Sequence, residues 1–454
     1  MNNFENSTAL AHRSATSFRD RLAIGLTAAV RCAALVLAAA VPVVVAPQWG
    51  DAYNYPKVLV VYALAATIVV GWGATYLLTR RPPWRVTGPE ISVWLFLFVA
   101  LVSSWFSVSA RLTLLGAPGR YEGLLALAAY VVFFFVGVHF FGSEHGFRKL
   151  ATVAGVAAVL TMLYGVSRLF LPPLFPNEVV LKQLYDTMGY PRVYSTVGNP
   201  VTFGGYLAFM IPLAGGLAFA ARDRDRVLWL VAAALGYAIL LMTFTRAAWL
   251  AVGIGTGMFL VAVGPRALRR YVTMRTALAV LVAMGLGVTI AVAVVTPAQL
   301  AGRVSSALAG SGSVGQRVYI WSRTIDAIRS RPVLGWGLET LRDVFPYERE
   351  GLVKHFGYRP IIIDEAHNDV LQMAVSIGVP GALIYVVFWF CILSTAARIL
   401  RRASGASRML AAGWLAAVVA YLVQAQFSFS TVAIAPVVWL LAGSASGWEA
   451  GGES

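Results

Sequence analysis

The chain has 454 residues, of which 59% are hydrophobic and only 12% charged, and its mean hydropathy is +0.73. So few charges cannot cover so much apolar surface in water, which excludes a soluble globule and points to an all-α integral membrane protein. The net charge of +16 would suggest nucleic acid in a soluble chain. Here the arginines cluster in short loops between apolar runs, where the insertion bias for cytoplasmic Arg and Lys accounts for them, so no nucleic-acid partner is expected. Cys32 and Cys391 fall inside apolar runs and read as small buried hydrophobes, away from any disulfide or metal site.

Residues 1–22 are polar, carry Arg13, Arg19 and Arg21, and lack a signal-peptide pattern, so they read as a cytoplasmic tail. Apolar runs able to cross about 30 Å of hydrocarbon follow. They lie near 23–47, 57–79, 89–107, 121–141, 150–171, 200–220, 227–244, 246–263 and 276–296, so that 23–296 holds nine spans. A large polar loop over 297–368 comes next, then 369–447 with spans near 369–397, 408–427 and 430–447, then a tail at 448–454. The basic clusters at 80–85, 148–149, 222–226, 266–275 and 398–408 share one side of this plan of about twelve helices. That side is expected to be the cytoplasm, with both termini inside, and the large loop is expected in the periplasm of a bacterial inner membrane.

Arginines on the outer side run against the topology rule and call for another reason. Arg120 in Gly119-Arg120-Tyr121-Glu122-Gly123, Arg192 just before Gly198-Asn199-Pro200, Arg246 opening the eighth span, and Arg317 in the large loop are the four of interest. A guanidinium is always charged and bidentate toward phosphate oxygens, so several converging on one outer pocket would suit a diphosphate. For each, an interfacial arginine bonded to headgroups or to a carboxylate such as Glu122 is the competing reading.

Within the loop, Val318, Trp321, Ile325 and Ile328 recur at helical spacing, which predicts an amphipathic helix over 316–330 on the membrane surface or capping a cavity. Arg331-Pro332 through Gly337 should end it in turns, and 338–363 shows no clear pattern. Asp364-Glu365-Ala366-His367-Asn368 closes the loop. The two carboxylates are expected at the start of the tenth span, with His367 in its first turn. Among the histidines only His367 combines an outer position, a fixed helix and neighbouring acids. An imidazole can take a proton from a hydroxyl at neutral pH, which makes it a candidate general base, although a capping histidine would look the same. Asp364, Glu365 and Asn368 are its candidate supports.

The sole Asp-x-Asp, Asp223-Arg224-Asp225, lies on the expected cytoplasmic side and reads as a solvated charge run. Asp364 and Glu365 alone are thin as a cation site. No metal and no cofactor are expected, with arginines in the metal's role. A transporter or lipid flippase would also have twelve spans, but the span interiors hold almost no Asp or Glu to couple transport to ions.

The twelve-span plan with its large loop between spans nine and ten resembles the O-antigen ligase and O-antigen polymerase superfamily. Two short patterns carry the likeness to the ligase branch: Arg246-Ala247-Ala248-Trp249-Leu250, and His367 followed after ten residues by Gly378. Asn199-Pro200 and Arg317 stand in matching places, and the likeness covers most of 90–445. What the resemblance implies is a membrane-embedded, GT-C-like inverting glycosyltransferase of lipopolysaccharide biosynthesis. It would move a glycan from undecaprenyl diphosphate to lipid A-core or another glycan acceptor among membrane lipids on the periplasmic face. A polymerase of the same superfamily would use the same pocket with another lipid-linked glycan as acceptor.

Overall fold

Inside hydrocarbon an apolar chain satisfies its backbone most simply as α-helix, and every regular element described is helical. The computed structural model describes residues 18–80, 88–170, 192–265, 313–358 and 361–451. The chain opens with α1 (Phe18–Ala40), α2 (Asn54–Thr79), α3 (Gly88–Trp105), the short α4 (Ala110–Leu115), α5 (Leu124–Phe141) and α6 (Glu144–Phe170). Then come α7 (Pro200–Ala220), α8 (Asp223–Met242) and α9 (Arg246–Val263). The loop region holds α10 (Ser313–Ser330), α11 (Leu341–Val344) and α12 (Arg349–Phe356), and the chain finishes with α13 (Asp369–Arg402), α14 (Gly405–Ala425) and α15 (Ala435–Gly451). Ten of these helices are long and apolar enough to cross a membrane. They fall on ten of the expected spans; the last expected span is the 17-residue α15, and the one at 276–296 lies outside the described residues, as do most of the loop's first third and most of the expected 1–22 tail.

Three boundaries differ from expectation. The first helix already includes Phe18, the first described residue, so helix reaches into the expected 1–22 tail and takes in Arg19, Asp20 and Arg21. The fifth expected span begins early, at Glu144, where Ser143 Oγ accepts the Gly146 N–H at 3.1 Å and caps the turn. The stretch 338–363, without pattern in the sequence, contains α11 and α12. Cys32 is exposed on the flank of α1 and Cys391 is half-buried, so neither is the fully buried hydrophobe expected.

Within a membrane, helices associate by close packing rather than by escape from water. The most buried helix, α7, shows how: nearly its whole length is covered by α14, α8 and α9. A Cβ on Gly216 would sit 2.7 Å from Gly413 Cα, so the α7 and α14 backbones nearly touch there. On the other side of the bundle α5 packs along α15, and Phe388 of α13 stacks on Trp439 of α15 with centroids 4.7 Å apart.

The feature that positions the site is a break in α13. Ile377 and Gly378 leave helical geometry, Gly378 with φ +78°, and Pro380 follows. The break frees two carbonyls that a straight helix would use internally. Val375 O accepts Trp336 N–H at 2.9 Å, Ser376 O accepts Gly337 N–H at 2.8 Å, and Val379 N–H reaches Pro332 O at 2.8 Å. Ser103 Oγ of α3 also donates to Ser376 O at 3.0 Å. A side chain at position 378 would collide with the Val333 carbonyl, so only glycine lets the loop lie against the helix. The tenth span is therefore two helical pieces with the loop stitched into the gap.

The loop helix α10 packs on α13, but only in part through the stripe the sequence suggested. Ile320, Thr324, Ala327 and Ile328 are buried, whereas Val318 is 56% and Ile325 37% exposed. The helix carries two apolar faces. Of the expected stripe, Ile328 is buried and Trp321 faces Phe427 while Val318 and Ile325 point away, and the face that packs adds a threonine and an alanine that a hydrophobicity pattern passes over.

Candidate functional site

The candidate residues gather at the end of the bundle where α7, α9, α13 and α15 begin and α8 and α14 finish. Arg246 is the first residue of α9, so a full positive charge sits on the positive end of a helix dipole, an arrangement that suits an anion beside it. The turn before it is tightly fixed. Phe244 has φ +50°, Thr243 Oγ1 donates to Leu240 O at 2.7 Å, and Thr245 Oγ1 donates to Pro200 O at 3.1 Å. Arg192 braces the same turn, its Nε donating to Thr243 O at 2.9 Å and its Nη2 to Thr245 Oγ1 at 3.2 Å. The structure thus places Arg192 behind Arg246 as a brace. At the start of α7, Asn199 Oδ1 accepts the N–H groups of Val201 and Thr202, both at 2.9 Å, which explains the Asn-Pro pair as a helix start.

Arg317, in the first turns of α10, is half-buried and lies close enough to Arg246 that their charges repel. Burial and then Arg246 lower the Arg317 pKa. Two neighbouring guanidiniums can bind the oxygens of a diphosphate in bidentate fashion.

His367 is not in the first turn of α13. Asn368 is the N-cap, its Oδ1 accepting Leu371 N–H at 3.0 Å, and His367 stands just ahead of it with φ +50°. The turn carrying it is held from three directions. Ala366 N–H donates to Gln372 Oε1 at 2.9 Å, Arg120 Nη2 donates to Asp364 O at 3.2 Å, and Asn368 Nδ2 donates to Gln426 O at 3.2 Å. The His367 ring lies 5.7 Å from that of Phe429, and its Nδ1 is 3.7 Å from Glu365 Oε2. Burial first, then the Arg317 guanidinium, push its pKa down to about 4, with Arg120 adding to the effect and Asp364 opposing it. The imidazole is therefore neutral at physiological pH, and the arginines are near enough to govern its basicity.

Arg120 is bound on both sides by acid. Its Nε and Nη2 donate to Glu339 Oε2 at 2.9 and 2.7 Å, and its Nη1 pairs with Glu365 Oε1. All three side chains are nine-tenths buried or more. Its carboxylate partners are Glu339 and Glu365; Glu122 instead accepts the Tyr130 hydroxyl at 3.0 Å. The Asp364-Glu365 pair does not serve the α13 N-terminus as expected, because Glu365 turns back to Arg120 and Asp364 offers its carbonyl. Asp369 takes the helix-start position, accepting Tyr385 O–H at 2.8 Å and Ser430 N–H at 3.2 Å.

A cavity of about 70 Å³ lies beneath Arg120, lined in part by Glu122, Glu339, Asp369, Gln372, Phe429 and Ser430. Among the described residues, no group of three or more His, Cys, Asp or Glu is placed to hold a metal ion. Asp223 and Asp225 are in the first turn of α8, at the opposite end of the bundle. Sequence reasoning missed Glu339, Gln372, Gln426, Phe429 and Ser430. The polar run Gln424 to Ser430 between two apolar spans was a visible signal, whereas Glu339 sits in the stretch without pattern.

Four of the six non-glycine residues with positive φ among the described residues lie at this site: Tyr121 beside Arg120, Phe244 before Arg246, Glu339 and His367. Each costs roughly 1–3 kcal/mol, and such strain collects where geometry serves a purpose other than stability.

Fold and composition together define an all-helical protein with ten helices long and apolar enough to cross a membrane. Residues 229–386 match the family model described as O-antigen ligase, a stretch that takes in Arg246, Arg317, His367 and Gly378 and that supports a place in the O-antigen ligase superfamily. No curated protein matches the chain.

Proposed function

We propose that the protein is an O-antigen ligase-type glycosyltransferase that moves a glycan from undecaprenyl diphosphate to a lipid A-core acceptor at the periplasmic face, with inversion and without a metal. The observation that carries this reading is a chain of neighbouring groups, Arg246 at the N-terminus of α9 acting on Arg317, and Arg317 in turn acting on His367. A diphosphate seated between the guanidiniums would have its leaving charge neutralised. Its negative charge would also cancel the Arg317 contribution, second to burial, to the weak basicity of His367. The imidazole could then accept the proton of an acceptor hydroxyl as that oxygen bonds to the anomeric carbon and the carbon–phosphate oxygen bond breaks. Donor binding thereby prepares the base. Arg120 and Arg192 act here through the residues they hold rather than on the diphosphate.

The test is transfer from purified undecaprenyl-diphosphate glycan to lipid A-core, with the native protein, His367→Ala, Arg246→Ala and Arg317→Ala, each with and without EDTA. Transfer that survives EDTA and collapses in the folded variants is expected. Elongation of the lipid-linked donor without transfer to lipid A-core would replace the ligase with a polymerase.

A further inference from the structure

A second, smaller cavity lies between the first turns of α7 and the last turn of α14, with Phe429 in its wall. It is lined in part by Thr202, Gly205, Gln424, Ser428, Phe429 and Ser430. Gln424 is 94% buried, being 6% exposed, and among the described residues neither its Oε1 nor its Nε2 has a hydrogen-bond partner. Buried amides are nearly always paired, so one with both donor and acceptor unmatched, facing a polar cavity, calls for a reason. Packing does not supply it. A leucine would fill the same volume without unmatched polar atoms, and Gly205 lets the amide stem pack closely, since a Cβ there would crowd Gln424 at 3.2 Å from Cγ and 3.4 Å from Nε2.

We infer that Gln424 forms a subsite for a sugar hydroxyl, accepting from it through Oε1 and donating to it through Nε2. A neutral hydroxyl, like a water molecule, uses both; the cavity, about 10 Å³, has room for one such group and holds no full charge to favour an ion. Phe429 lines this cavity and also faces His367 at 5.7 Å, so a sugar reaching into the subsite lies beside the imidazole, its apolar face available to the ring. The inference rests on the reading of the site as a glycan transferase and names the part of it that recognises sugar. The sugar can belong to donor or acceptor.

The test uses the purified full chain and three probes: farnesyl diphosphate, a farnesyl-diphosphate-linked hexose, and a soluble core oligosaccharide. Gln424→Leu is expected to weaken the hexose-bearing donor or the oligosaccharide by at least about tenfold, the worth of a pair of neutral hydrogen bonds. Binding of sugar-free farnesyl diphosphate should be unchanged, and the melting temperature should rise because unmatched polar atoms have been removed. Gly205→Ala, which pushes the amide aside, should show the same selectivity for sugar. Which sugar-bearing probe loses affinity identifies the source of the hydroxyl. Equal binding of all three probes by variant and native protein, or a fall in melting temperature with Gln424→Leu, would overturn the inference and leave the transferase reading standing. Native protein that binds farnesyl diphosphate but neither sugar-bearing probe more tightly would overturn both.

Discussion

His367 shows how neighbours decide what a side chain can do. In the free protein its pKa near 4 means that kcat/KM should have no limb near the ordinary imidazole value of about 6.5. With diphosphate bound, the Arg317 guanidinium is neutralised, so the acid limb of kcat should move upward from about 4 by the part of the depression that Arg317 rather than burial causes. A profile of each parameter against pH checks the pair of expectations. The same depression has a sign for stability: a histidine whose pKa is lowered by folding favours the native state fully above about pH 6.5 and loses that contribution as pH falls toward 4. His367→Gln should therefore flatten that part of the melting-temperature profile. His367→Ala should lower transfer by about 10²–10⁴-fold, and Arg317→Ala by at least as much if leaving-group charge dominates. Arg120 belongs to stability. Arg120→Met leaves Glu339 and Glu365 buried without their cation and should cost about 3–5 kcal/mol, read by unfolding in detergent, with Glu339→Gln in the same chain recovering part of it.

Among the elements, the broken α13 decides where the loop goes. Gly378→Ala combines a left-handed backbone with a collision against Val333 O, so the seam over 331–337 must open. The expected outcome is rapid proteolysis within that stretch and loss of transfer, while helix content by circular dichroism stays near native. The spacing from His367 to Gly378 was legible in the sequence as a pattern, but its cause was not. The glycine is fixed by what lies against it, the carbonyl of a residue 45 positions earlier, and no local periodicity records that. The α10 stripe was misread for a related reason, since Thr324 and Ala327 pack by size where hydropathy looks for leucine. By contrast Asn199-Pro200 and the apolar run after Asn368 are local signals, and the helices start where those residues say.

For the molecule as a whole, hydropathy located the helices because backbone satisfaction in lipid leaves few alternatives, while tertiary pairings such as Arg120 with Glu339 and Glu365 join segments over 200 residues apart and stay hidden from a linear reading. The orientation expected from the basic clusters can be tested, since those among the described residues, Arg148-Lys149, Arg222 to Arg226 and Arg398 to Arg408, lie at the end away from the site. In a chain with Cys32 and Cys391 replaced by serine, Glu350→Cys in α12 should react with a membrane-impermeant maleimide in intact cells. Ala403→Cys, between α13 and α14, should react only after lysis. The opposite pattern would move the site to the cytoplasm and remove the case for an envelope acceptor.

The seam between 332–337 and 375–379 has one more consequence. Because its three backbone bonds join loop to helix, this part of the loop cannot swing as a lid without breaking the element that carries His367. Entry of a lipid-borne substrate must come from another side. In hydrogen–deuterium exchange the amides of Trp336, Gly337 and Val379 should keep their protons on the timescale of the bundle's slowest helices, although all three lie outside regular helical geometry or at its edge.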